Sequence, residues 1–302
     1  MSRSAFAGQG TAYAEEPPVF LDREVFVSPV VTVGEFRCTV SHPGFEDSGP
    51  IREDCFVFPR LAVSIQHEHA PAFVANPNVV TFYNAGQVYR RQPISPSGDH
   101  CHWFAVDRAT ACEVLDAAGI DAAATGPFGW NRAPSAPAAY LAQREIVDAA
   151  LQIGKSPAID AAGIEERVIF LLDRSIRTAN EAPGSTPASR YLRTTHDAIH
   201  EIEILLSTRW NESWQLTDLA RRAELSPFHL CRAFHRLTGF TLHQYRLRLR
   251  LRAALDDMRR TRRSLVEIAL DAGFCSHSHF TSAFRREFGV PPSEWRMPFT
   301  RS

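Results

Sequence analysis

Residues 216–246 and 265–296 carry one pattern written twice, and a repeat of that length constrains the fold more than any other feature of the chain. LTDLARRAELSPFHLCRAFHRLTGFTLHQYR aligns with LVEIALDAGFCSHSHFTSAFRREFGVPPSEWR once a single extra residue is allowed at the second turn. Leu219 falls on Ile268, Ala220 on Ala269, Leu230 on Phe280, Phe234 on Phe284, Gly239 on Gly289 and Tyr245 on Trp295. These are the positions that packing would have to keep.

Each copy reads as helix, turn, helix. In the first, Leu216, Leu219, Ala220 and Ala223 share one face of a 3.6-residue period, and Ala220 is small enough to let a second helix cross closely. The second helix opens with Ser226 as N-cap and Pro227 at its first position, buries Leu230, Ala233, Phe234 and Leu237, and stops at Gly239. Its other face presents Phe228, Cys231, Arg232 and His235, matched in the second copy by Ser278, Thr281, Ser282 and Arg285. Nothing in such a unit covers those faces. Crossed helices with a polar, basic outer face have the helix-turn-helix geometry for entering a DNA major groove. Between the copies, Leu242 to Met258 holds neither Gly nor Pro. RLRLRLR (246–252) alternates like a strand, but Leu247, Leu251, Ala254, Leu255 and Met258 favour a helix, about 25 Å long at about 1.5 Å per residue. That length suits two recognition helices set roughly one DNA turn, about 34 Å, apart.

On these residues, SPFHLCRAFHRLTG, IALDAGFCSHSHFTSAFRREFG and VPPSEWR, segment 196–296 resembles the DNA-binding domain of the AraC/XylS family of bacterial transcription regulators. The resemblance implies that Phe228, Cys231, Arg232, Ser278 and Ser282 lie against base edges, and that His229, His279, Thr281 and Arg285 lie near phosphates. Cys231 and Ser282 stand where the family often has longer side chains, which shifts direct readout onto Arg232. It also implies a cupin-like barrel ahead of the DNA-binding domain, pairing of two subunits through the helices that follow the barrel, and action as an activator that contacts RNA polymerase.

Charge agrees with this division. The net formal charge is −1, yet residues 190–302 hold 19 Arg against 12 acidic groups, while the first 189 residues hold 14 basic and 22 acidic groups. The basic end carries the repeat, as phosphate binding requires. Six cysteines show no CxxC spacing, no charged-then-apolar leader opens the chain, and there is no apolar run of membrane-spanning length, so the expected setting is the bacterial cytoplasm, with the DNA-bound protein on the nucleoid.

The predicted fold is α+β. Residues 1–18 form a tail, and 19–108 a β-rich cupin-like sensing domain of short Val-, Phe- and Tyr-rich strands, a small antiparallel barrel or sandwich. Residues 109–180 form a helical dimerisation and connector segment, 181–190 a linker, and 191–302 an all-α domain with two helix-turn-helix units. Ile164, Val168, Leu171, Leu172 and Ile176 make one apolar helical side, a candidate dimer surface or a cover for the barrel. Tyr83, Tyr89, Arg90 and Trp103 are candidate ligand contacts, with Arg90 or Arg91 available to pair an anionic group. His67, His69, His100 and His102 are a candidate metal set on two strands. The carboxylate and Gly-rich spacing of a metal cupin are not evident around them, which favours solvated histidines or contacts to an organic ligand.

The expected function is sequence-specific binding of double-stranded promoter DNA by an effector-responsive regulator, as a homodimer, without a cofactor, a membrane association or an enzymatic activity. The alternative is a metal-dependent cupin enzyme or metal sensor fused to a DNA-binding tether.

Overall fold

The computed structural model describes residues 19–68, 70–123, 125–153, 161–182 and 193–296. The tail 1–18, most of the expected linker and His69 lie outside them.

Among the described residues the first half holds ten strands: β1 (Phe20–Val27), β2 (Val31–Cys38), β3 (Asp47–Ser48), β4 (Cys55–Pro59), β5 (Val63–His67), β6 (Phe73–Ala75), β7 (Val79–Tyr83), β8 (Tyr89–Pro93), β9 (Asp99–Val106) and, after the first helix, β10 (Arg132–Pro134). They pair antiparallel in two sheets, ordered β1-β2-β9-β4-β7-β10 and β3-β8-β5-β6. Neither sheet closes on itself among the described residues, so the expected barrel is an open pair of sheets. Side chains alternate across the larger sheet. Phe56, Phe58, Val80, Phe82, Phe104 and Val106 point one way and form the main core with three helices, α1 (Arg108–Ala117), α2 (Pro137–Gln152) and α3 (Ala161–Glu181). Cys55, Val57, Tyr83, Cys101, Trp103 and Ala105 point the other way, toward the smaller sheet.

Of the two expected roles for the α3 stripe, a dimer surface or a cover for the β-rich part, it has the second. Ile164, Val168, Leu171, Leu172 and Ile176 are each at most 2% exposed. A one-sided apolar helix next to a sheet finds its partner within the chain, and burial of each such side chain contributes about 1.5–3 kcal/mol.

The C-terminal part holds α4 (Arg193–Thr208), α5 (Leu216–Arg222), α6 (Pro227–Thr238), α7 (Leu242–Arg260), α8 (Leu265–Asp271), α9 (His277–Phe288) and α10 (Pro292–Trp295). Caps set the starts and stops. Ser226 and Ser276 accept from the backbone N–H groups of His229 and His279, Thr241 and Ser264 form capping boxes, and Gly239 and Gly289 end α6 and α9 at φ 78° and 83°. Helix α7 is shared between two cores. Tyr245 and Leu249 pack with α4, α5 and α6, whereas Leu251, Ala254, Leu255 and Met258 pack with α8 and α9.

Candidate nucleic-acid interface and sensing cavity

Burial separates the two faces of each outer helix. In α6, Leu230, Ala233 and Phe234 are at most 1% exposed, while Phe228 is 64% exposed and His229, Cys231, Arg232 and His235 are exposed with it. The Arg232 guanidinium lies 5.5 Å from the Phe228 ring centroid, which restrains the longest polar side chain of that face. In α9, Phe280, Ala283 and Phe284 are buried, and Ser278, His279, Ser282 and Arg285 are exposed. Thr281 departs from its expected place. It is half-buried, with its hydroxyl turned inward and without a hydrogen-bond partner among the described residues.

The β-rich and helical parts meet through a polar seam that sequence reading missed. Arg252 of α7, 1% exposed, donates to the carbonyls of Pro77 and Ser135 and lies 4.4 Å from the Tyr140 ring centroid. Burial lowers its pKa to about 10, still high enough to keep the charge near neutrality. Asp256, one turn further on, takes ion pairs from Arg60 and Arg144. Burial pushes its carboxyl up, but the two guanidiniums win and hold it below the usual carboxylate value. Nearer the first helix pair, Arg132 grips Glu203 of α4 with two bonds of 2.9 and 3.1 Å, and Asn78 donates to the Tyr245 carbonyl at 2.8 Å. In the sequence Arg252 is one of several arginines of a helix and Asp256 is not singled out; their docking partners give them a role.

Between the sheets lies a cavity of about 1010 Å³. Three of the four predicted ligand contacts, Tyr83, Tyr89 and Trp103, line it. Arg90 does not. The pleat of β8 turns Arg90 outward and Arg91 inward, where Arg91 is 2% exposed. Arg91 bonds Asp99 at 3.0 Å and the Gly44 carbonyl at 3.1 Å, and lies 4.7 Å from the Phe36 centroid. Burial raises the Asp99 carboxyl, and Arg91 opposes that shift. Burial also keeps Tyr83, Cys55 and Cys101 protonated by raising each above its ordinary value. The Trp103 indole lies across β2 at Gly34, where an added Cβ would stand 2.0 Å from the ring, and its Nε1–H donates to Asp22. A lone glycine inside an apolar strand was the signal available for that close approach.

The predicted histidine set is not brought together. His67 sits among Phe73, Tyr83 and Tyr89, and burial lowers its pKa to about 4. His100 and His102 lie on the opposite, helix-covered face of β9, with Glu35 of β2 beside them. Glu35, His100 and His102 have the donor types of a metal centre and offer ligand atoms within 4.8 Å of one another. Those donors are engaged, however. His100 Nε2 donates to Glu35 at 3.1 Å; His102 Nδ1 donates to Gln143 Oε1 at 2.7 Å, which leaves its Nε2 to accept from Arg60 at 3.1 Å. Burial and then Arg60 depress His100 to about 2 and His102 to about 3. Burial, the larger cause, leaves both imidazoles neutral, and their ring nitrogens are taken up by Glu35, Gln143 and Arg60.

Residues 219–297 match the family model described as a helix-turn-helix domain. The chain is 29% identical over 169 residues to the HTH-type transcriptional regulator ArgR of Pseudomonas aeruginosa, covering 56% of this chain and 50% of that protein. It is 37% identical over 78 residues to the regulatory protein SoxS of Salmonella typhimurium, covering 26% of this chain and 73% of that protein. Among solved structures, ToxT from Vibrio cholerae matches with a TM-score of 0.35 and 13% identity over 89% of this chain and 98% of that one. The matched part thus spans about half the length of the first of these relatives. The class shown for the matched residues is a helix-turn-helix domain, which takes in α6 to α9. The chain belongs to the AraC/XylS family of transcription regulators.

Proposed function

We propose that the protein is an effector-responsive transcription regulator in which α6 and α9 enter successive major grooves of promoter DNA while the inter-sheet cavity receives a small molecule. The observation that carries this reading is the pair of capped helices whose inner faces are buried and whose outer faces, led by Arg232 and Arg285, are exposed. Arg232 would read a guanine edge, the commonest specific contact in the major groove. The coupling element is α7. It belongs to both helical cores and also holds Arg252 and Asp256, so a ligand that shifts the sheets against α2 shifts the base of both reading heads. In this reading the protein is a cytoplasmic, nucleoid-associated activator that recruits RNA polymerase and binds as a homodimer. The face of α3 left for pairing is the one around Phe170, 63% exposed.

The test is selection of genomic fragments by the full chain followed by footprinting at fixed salt. Two protected major-groove blocks about one helical turn, about 34 Å, apart are expected. Protection without sequence preference, lost steeply with salt, would remove the reading of α6 and α9 as base readers.

A further inference from the structure

The cavity's charge is already balanced from within, and that decides what it can hold. Arg91 and Asp99 are both inside it and paired at 3.0 Å, with Arg91 2% and Asp99 6% exposed. Of the exposed charged residues that line it, Asp22, Glu24 and Glu53 outnumber Arg23 and Arg52, and Arg23 is bonded to Glu35 at 2.8 Å. An anion entering would pass an acidic rim and find the one buried cation among the described lining residues, Arg91, neutralised. Burial of an unmatched charge is costly, so the expectation from sequence that an arginine in this region pairs an anionic group fails on the wiring of that arginine.

The walls specify the rest. Trp103 is held flat across Gly34 and tethered to Asp22, and the Tyr83 and Tyr89 rings stand 4.9 Å apart at 45°, so much of the lining is immobile ring surface. The Nε–H of Arg91 is a buried donor without a hydrogen-bond partner among the described residues. Resting on the reading of this cavity as the effector site, we infer that the effector is an uncharged molecule with a flat aromatic body and one hydrogen-bond acceptor, which Arg91 meets through Nε–H while Asp99 keeps its charge matched.

Four probes of one shape test this by titration calorimetry on the full chain: 2-acetylnaphthalene, 2-naphthoate, 2-naphthyltrimethylammonium and the saturated 2-acetyldecalin. The neutral aromatic ketone should bind about tenfold or more tightly than any of the other three. Asp99→Asn leaves Arg91 uncompensated and should reverse the order of ketone and carboxylate, again by about tenfold. The double variant Arg91→Gln/Asp99→Asn, neutral once more, should restore preference for the ketone over the carboxylate, and a thermal melt of each variant reports whether it is folded. Naphthoate or the trimethylammonium binding the wild type as well as the ketone overturns the inferred charge class, and equal binding of the decalin overturns the flat body. If no probe binds, or if binding is unchanged by Trp103→Ala, the cavity is not the effector site and the inference falls with it.

Discussion

The two helix pairs, α5 with α6 and α8 with α9, share a pattern and differ in what surrounds them. At the turn between helices, the first pair places Glu224 at φ 53° and the second places Gly273 at φ 77°. Both chains must pass through the left-handed region there, and only glycine does so without steric cost. The second copy requires glycine for another reason as well, since a Cβ at 273 would stand 2.6 Å from the Asn211 carbonyl oxygen. The outer faces also differ. The first offers a large aromatic and an arginine, the second two serines and an arginine at its far end. The seams differ as well: the first pair is tied to the β-rich part through Glu203 and Tyr245, the second through Arg252 and Asp256 on the later half of α7. A repeat therefore preserves the inward positions that every copy must bury and frees the turn, the reading face and the docking side to diverge.

Breaking the second seam should have the largest effect. Asp256→Ala leaves Arg60 and Arg144 buried without their anion, and a loss of about 3–5 kcal/mol is expected in denaturant unfolding. If Glu203→Ala and Asp256→Ala cost nothing, the seam between the two parts is not closed in solution.

Acid should act on the same side of the molecule. His100 and His102 are held neutral down to about 2 and about 3, so below the ordinary histidine value the unfolded chain binds protons that the folded chain refuses. Stability is then present above about pH 6.5 and lost as pH falls from there toward 3, by about 1.4 kcal/mol per pH unit for each histidine. His102→Gln should flatten that slope in unfolding curves taken at stepped pH.

The reading faces are compared by paired alanines. Arg232→Ala should lose about 1–3 kcal/mol of discrimination at one base pair, and Ser282→Ala should lose less, in binding to a target and its point variants at one salt concentration. Equal losses would mean that the two helices read alike. At the turns, Gly273→Ala should destabilise by about 1–3 kcal/mol, whereas Glu224→Gly should be the smallest change of all, a gain of about 0.5–1 kcal/mol that a melting curve resolves.

Much of the DNA-binding half was legible in the chain. Apolar spacing, the Ser226 and Ser276 caps and the glycine stops are local rules, so α5, α6, α8 and α9 fall where the pattern places them. The outward direction of Arg232 follows from the same period; the half-burial of Thr281 does not, since Cys231 at the matching position of α6 is exposed. In the β-rich half, the strands and three of the four cavity contacts were legible. Arg90 was placed among the contacts with Arg91 as its alternative, and it is Arg91 that faces the cavity, since which of two adjacent arginines turns inward is settled by the register of β8 against β5, a long-range pairing.

The sequence by itself determined two repeated helix pairs, a β-rich first half and the basic balance of the second, because caps, periodicity and charge act over a few residues. Only the tertiary structure decided that the larger sheet stays open, that α3 spends its apolar side on the chain's own core, that Glu35 joins His100 and His102, and that Arg91 is neutralised by Asp99. Each of these joins residues distant in sequence or sets an orientation by pairing across strands, and a charge or an apolar face has no fixed meaning until the group opposite it is in place.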